Sequence, residues 1–372
     1  MGFHIVKREN CPLGKKICFY LAAVVLALLL GAVLLIALGV NPVAYYSRMF
    51  TMGTVGNAIS YKVWINYLKD FVPLALVSVA LSLAFKMRFW NIGGEGQFIF
   101  GAIASAFVAF KLGPVMPGAV TLLTMCLAAM VVAGLYGLFV AALKVKFGTN
   151  ETLMTLMLNY VALYVLVFIS EDKGEWNVFL DPESVRPVFA SFSDIVSFPV
   201  IPMAGRFSLN ICVILTLLIG VFVYVYLKYT KQGYEISVVG DSAGTARYAG
   251  MKVNGIVLRT VFLSAGLIGL AAAFKVGTAG MLSTAITDDV GWTGIIVAWL
   301  SQLNTAVIFV VSALICVLHY GSTVAAATFS QVDSSFANML QGVILFLVLA
   351  ADFYTRFRIV PVKKGGKDNA NG

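Results

Sequence analysis

The polar residues whose types and spacing could do chemistry fall into four stretches of an otherwise apolar chain. The densest is Arg88-Phe-Trp-Asn-Ile-Gly-Gly-Glu-Gly-Gln97, where Asn91, Glu95 and Gln97 stand among three glycines that disfavour a continuous helix. Gly93 to Gly96 are expected to bend the chain and start a helix. That leaves Glu95 near a helix N-terminus, where a carboxylate gains about 0.3–1 kcal/mol from the dipole. A charged side chain at the bilayer centre costs about 2.5–3.5 kcal/mol on an insertion scale, so Glu95 must face protein or water. It reads as a lining residue of a solute path or hinge, or as a helix cap at the interface. The second stretch, Thr287-Asp-Asp-Val-Gly-Trp-Thr293, sets Asp288, Asp289 and Trp292 at the entry to another apolar segment. These are either solute contacts or interfacial acids at a helix start. In the third, Thr152, Thr155 and Asn159 share one helical face, which suits interhelical hydrogen bonds of about 0.6 kcal/mol each or, for Asn159, a place on the path. The fourth, Val239-Gly-Asp-Ser-Ala-Gly-Thr-Ala-Arg-Tyr-Ala-Gly-Met-Lys252, is the most polar bridge in the chain. Ser242 is a good N-cap, Ala243, Ala246 and Ala249 favour a helix, and Gly250 suits a left-handed C′ position. The result is a helix of at most three turns from Ser242 to Gly250 that displays Arg247, Tyr248 and Lys252 as a docking surface, or else an ordinary solvated loop.

The elements that must position these residues are membrane helices. Sixty per cent of the 372 residues are hydrophobic and twelve per cent are charged, whereas about a quarter are charged in a soluble domain. The class is all-α: a polytopic membrane bundle of about ten spans (eight to ten), each needing about 20 residues. Apolar segments run from Ile17 to Val40, Phe71 to Phe85, about Gly93 to Phe110, Val115 to Leu143, Thr152 to Ile169, Leu209 to Leu227, Ile256 to Val276, Trp292 to Leu303, Thr305 to Tyr320 and Phe336 to Phe353. The second is short and must recruit Trp64 to Tyr67, tilt or break. The eighth and ninth are short enough to be half-helices. Elements five spans apart point in opposite directions, so the third and eighth fit an inverted repeat. Small residues recur at every fourth position (Gly101, Ser105, Ala109; Ala129, Ala133, Gly137, Ala141; Ala265, Gly269, Ala273), which lets backbones approach closely.

Charge sets the orientation. The net charge of +9 is concentrated in the first 16 residues, in loop 229–259 and in the tail 356–372, which are therefore cytoplasmic. Loop 170–207 holds six acids (Glu171, Asp172, Glu175, Asp181, Glu183, Asp194) against three bases and suits the outer face. Residues 17–355 form the transmembrane domain. This distribution argues for a bilayer rather than nucleic acid as the partner of the basic surface. The five cysteines lack paired spacing and His4 and His319 are far apart, so no metal site is indicated. There is no phosphate-binding Gly-x-x-x-x-Gly-Lys-Ser/Thr loop, metalloprotease motif or Gly-x-Ser-x-Gly turn, and no catalytic set is visible. If solute movement uses ATP, the ATPase is another chain.

Asn91-Ile-Gly-Gly-Glu-Gly-Gln97 resembles the Asn-Ile-Gly-x-Glu-Gly-Gln stretch of the nucleoside-type subgroup of ABC importer permeases for ribose, branched-chain amino acids and nucleosides. The segment Val239 to Met251 is similar to that family's cytoplasmic Gly-x-Asn-Pro-x-Ala-Ala-x-Tyr-Ala-Gly, with Ser242 where asparagine and Ala243 where proline is usual. Asp288 to Ala298 resembles its Gly-Phe-x-Gly-Ile-Ala-Val-Ala segment. The resemblance implies a permease subunit of the bacterial plasma (inner) membrane that works by alternating access. It further implies a second permease chain, cytoplasmic ATPases that bring ATP and Mg, and an extracytoplasmic binding protein. Gly240, Asp241, Ser242, Ala246, Arg247, Tyr248 and Gly250 would then couple to the ATPase. Asn91, Glu95, Gln97, Asn159, Asp288 and Trp292 are the path candidates. Nucleoside is the expected solute, with riboflavin or a sugar as alternatives. An ion-coupled secondary transporter, using Glu95, Asp288 and Asp289 as coupling acids, and a structural membrane subunit without transport are the competing readings.

Overall fold

The computed structural model describes residues 3–7, 12–55, 59–193, 196–203, 206–329, 331–333 and 335–361; Arg8, Cys11, Asp194 and the tail bases Lys363, Lys364 and Lys367 lie outside the described residues. In chain order the elements are β1 (Phe3–Lys7), α1 (Leu13–Ala37), α2 (Pro42–Thr51), α3 (Ser60–Lys86), α4 (Gly94–Leu112), α5 (Gly118–Phe147), α6 (Glu151–Glu171), β2 (Val200–Pro202), β3 (Ser208–Asn210), α7 (Ile211–Tyr229), α8 (Lys231–Asp241), α9 (Ala243–Tyr248), α10 (Val253–Ala279), α11 (Val290–Leu300), α12 (Thr305–Ala326), α13 (Ser335–Arg356) and β4 (Phe357–Pro361). Among the described residues, nine helices are long and apolar enough to cross a membrane. Leu, Val and Phe side chains on their outer surfaces remain exposed, as lipid contact requires. The chain is an all-α membrane bundle.

Two compact units divide it. In the larger, Thr54–Val317, α3 and α10 form the core and are buried along most of their length. Short as its apolar run is, α3 reaches 27 residues by recruiting Trp64 to Tyr67. The small-residue stripes meet as their spacing predicts: a Cβ at Gly101 of α4 would stand 2.7 Å from the Gly269 Cα of α10, and one at Gly269 would strike the Ala129 carbonyl of α5. In lipid, where apolar surface gains nothing by leaving its solvent, such close backbone contact and its dispersion energy hold helices together. The connection after α6 folds over the ends of α4 and α10, with Phe192 on Phe110 (4.8 Å between ring centres) and Phe198 on Phe274 (5.4 Å).

The expected eighth span, Trp292 to Leu303, is instead an 11-residue helix, α11. At about 1.5 Å per residue it covers only part of a bilayer, so it is a half-helix. The ninth is longer than its apolar run, because α12 continues past Tyr320 to Ala326.

The smaller unit comprises Met1–Gly53 and Leu318–Gly372. Here α1 packs on α13, and Tyr20 donates a 2.8 Å hydrogen bond to Asp352. The continuation of α12 is explained by Ser322, whose hydroxyl lies 2.6 Å from that of the fully buried Tyr45, and by Gly321, which packs on the Met49 carbonyl of α2. β1 and β4 pair antiparallel, from Phe3 opposite Pro361 to Lys7 opposite Phe357. Both described ends of the chain therefore lie together.

Candidate functional site

Three glycines in four residues deprive the start of α4 of helical stability, and side chains supply what the backbone lacks. Asn91 and Gln97 form a reciprocal amide pair, with both N–H···O distances at 3.0 Å. The Asn91 Oδ1 also accepts from the Gly93 N–H at 3.1 Å. From α6, Asn159 donates to the Ile92 carbonyl at 2.9 Å and accepts from the Gly96 N–H at 2.8 Å, while the Thr155 hydroxyl accepts from the Ile92 N–H at 3.2 Å. All four side chains are buried. Backbone groups at membrane depth have no water to fall back on, so irregular chain there must be held in this way. The shared face of Thr155 and Asn159 thus closes on the bend, and Asn91, Gln97 and Asn159 come together as one clamp.

Glu95, in the first turn of α4, points to a different element. Its Oε2 accepts a 2.8 Å hydrogen bond from the Gly291 N–H in the first turn of α11, and the Thr287 side chain is a second partner. The two helix starts meet so closely that any Cβ at Gly291 would overlap the Glu95 backbone. A buried carboxylate is thereby set against the partial positive charge of two helix N-termini. Asp288 and Asp289, which precede α11, both adopt left-handed backbone (φ 49° and 55°). Asp288 is half exposed and lies 3.8 Å from the mostly buried Lys275 of α10. Trp292 is also exposed, at 37%. At the other end of α11, Trp299 stacks on Trp90 with ring centres 5.2 Å apart, so both ends of the half-helix touch the stretch Trp90 to Glu95.

The polar bridge folds as two helices. Thr230 caps α8 by accepting from the Gly233 N–H, and Ser242 caps α9 by accepting from the Thr245 N–H at 3.2 Å. Gly250 takes the left-handed C′ conformation (φ 76°) that its position predicts. Only six residues long, α9 is shorter than the three turns allowed by Ser242 to Gly250, because the chain leaves the helix at Ala249. Ala246 is its buried residue, whereas Arg247 is exposed and Tyr248 is 97% exposed. Gly240 packs on the Lys86 carbonyl at the end of α3, leaving no room for a Cβ, and Asp241 is exposed at the end of α8. The Arg259–Glu235 ion pair (3.0 Å) ties α10 to α8. A bare helix tip thus stands on an elbow joined to both core helices.

The family model for the branched-chain amino acid transport system / permease component matches residues 63–349. The chain belongs to this permease family. Similar proteins include the guanosine ABC transporter permease NupP of Bacillus subtilis (29% identical over 353 residues, 93% of this chain and 96% of the relative). The nucleoside ABC transporter permease NupB of Lactococcus lactis is 26% identical over 312 residues, covering 83% and 84% of the two chains. The glucose ABC transporter permease TsgB13 of Haloferax volcanii is 28% identical over 347 residues, covering 90% and 88%. Within the permease, Lys275 is a residue that the motif-based reading missed. The signal was a single charge inside the apolar run Ala271-Ala-Ala-Phe-Lys-Val276, which the small-residue stripe of the same helix obscured.

Proposed function

We propose that this permease carries nucleosides inward across the plasma membrane by alternating access, driven by ATP hydrolysis in separate cytoplasmic chains that bring their own Mg. A second permease completes the path and an extracytoplasmic binding protein delivers the solute. The observation that carries the reading is α9: an exposed charge and an exposed aromatic on a capped six-residue helix, joined through Gly240 to α3 and through Glu235–Arg259 to α10. Such a tip is the shape a groove in a partner can grip, and displacing it moves both core helices. The pairing of β1 with β4 supports the two termini lying on one face, the cytoplasmic face by their charge. Nucleoside is favoured as solute by the Asn91 to Gln97 sequence and by the two nucleoside-named relatives.

The path residues divide into two roles. Glu95, Asp288 and Trp292 line or gate the path where α4 and α11 start, and Asn91, Gln97 and Asn159 hold that junction in shape. Arg247→Glu tests the coupling role. Solute uptake is expected to fall at least about tenfold, the loss of roughly one charged contact, with the amount of chain in the membrane unchanged. Normal uptake by that variant would overturn the assignment of α9.

A further inference from the structure

At the end of α3 opposite Lys86, a cavity of about 200 Å³ opens between α3, the β2–β3 hairpin, the start of α7 and the end of α10. Its polar lining comes from Lys69, Ser208, Asn210, Lys275 and Thr278, set beside the ring of Phe274 and the apolar Val72 and Val213. The Asn210 amide makes only a long 3.5 Å bond to Thr278, so its N–H is readily turned to a guest. Lys275 links the cavity to Asp288, which stands before α11.

We infer that this cavity receives the sugar ring of the transported solute. The chemistry of the wall decides the class. Hydroxyl groups both donate and accept, and here the ammonium groups of Lys69 and Lys275 and the Asn210 amide, which donate, stand beside the Ser208 and Thr278 hydroxyl oxygens, which accept. Adjacent ring hydroxyls can accept from Lys275 and donate to the Ser208 and Thr278 oxygens, and the C–H face of the ring can lie on Phe274. Asp288, 3.8 Å from Lys275 and outside the lining, offsets one of the two ammonium charges, and inorganic phosphate is the anion against which the test sets the sugar. A wholly apolar guest would leave Lys275 and Asn210 without the partners they have in water. The size suits one ring with its substituents, in keeping with pockets that are mostly apolar with a few placed polar groups. The inference rests on the permease reading above and narrows it: recognition within the membrane is of the sugar rather than the base. It also gives nucleoside and glucose carriers of one family a common recognised group.

The test uses the permease–ATPase assembly in proteoliposomes, with Val200→Cys as a reporter at the cavity rim in a chain whose five native cysteines are replaced. Modification by a charged thiol reagent is timed with guanosine, 2′,3′-dideoxyguanosine, glucose or inorganic phosphate present at equal concentration. Guanosine is expected to slow modification about tenfold, roughly the effect of one hydrogen bond to a charged group, and the dideoxy analogue to leave it unchanged. Lys275→Met or Asn210→Ala should abolish the protection. Competition by the same two nucleosides for uptake through the unsubstituted transporter repeats the comparison without any variant. Equal protection by both nucleosides, or protection by phosphate, would overturn the sugar site while leaving the nucleoside permease intact. Protection by glucose but not guanosine would keep the sugar site and overturn the nucleoside. Modification unaffected by any solute would overturn the cavity as a site.

Discussion

Two adjoining helix starts hang on single groups. Replacing Asn159 with Ala strands the Gly96 N–H and the Ile92 carbonyl, each a buried group whose loss of partner costs about 1–3 kcal/mol. The variant should unfold several degrees earlier in a thermal assay in detergent, with uptake per folded molecule largely kept, because it acts on shape. Glu95→Ala leaves one buried N–H, that of Gly291, unpaired but also removes a buried carboxylate, so the melting temperature should shift less than in Asn159→Ala while uptake falls strongly. A melting shift in Glu95→Ala as large as that of Asn159→Ala would remove the distinction between gate and clamp. Gly291→Ala is expected to be worse than either, because its methyl overlaps the Glu95 backbone. Asn91, Glu95, Gln97 and Asn159 were legible as a polar cluster from sequence. Their division into two groups was not, because side chains only two residues apart take different partners: Gln97 turns back to Asn91, whereas Glu95 meets a partner 196 residues away.

At the level of elements, the spacing of small residues foretold the α4–α5–α10 contact well, since a period of four fixes a helix face regardless of what lies opposite. Gly269→Ala should destabilise the bundle by about 1–3 kcal/mol through overpacking on the Ala129 carbonyl. Gly255→Ala, in the same helix with open space at its Cβ, should be neutral or stabilising by up to about 1 kcal/mol. Equal effects in a thermal assay would contradict the packing account. Helix ends signalled by side-chain caps were legible too, as Ser242 and Gly250 bracket α9, but α2, which Asn41 caps and Pro42 opens, was passed over because it lies outside the long apolar runs. The extent of α12 was not, because Gly321 and Ser322 break the apolar run while being held by Met49 and Tyr45, contacts that only the folded unit creates. The half-helix α11 was foreshadowed by length alone; its start is set by two left-handed aspartates, which hydropathy does not encode.

On the proposed reading, the whole molecule is a transmission between the α9 tip and the junction of α4 with α11. From α9 the connection runs through Gly240 to the end of α3, and the next residues of the chain, Arg88 to Asn91, lead into the clamp and Glu95. The proposed transmission thus has a continuous route of contacts from α9 to the α4–α11 junction. In the proposed cycle, ATP hydrolysis in partner chains drives nucleoside uptake through α9. The most direct measurement is uptake of labelled guanosine by proteoliposomes holding the purified assembly and its binding protein, with ATP supplied on the cytoplasmic side and with ion gradients collapsed by ionophores. Uptake that requires hydrolysable ATP, survives the ionophores and is lost in Arg247→Glu is the predicted result. Uptake that proceeds without ATP, stops when the gradients collapse and is unchanged in Arg247→Glu would contradict it and identify an ion-coupled transporter.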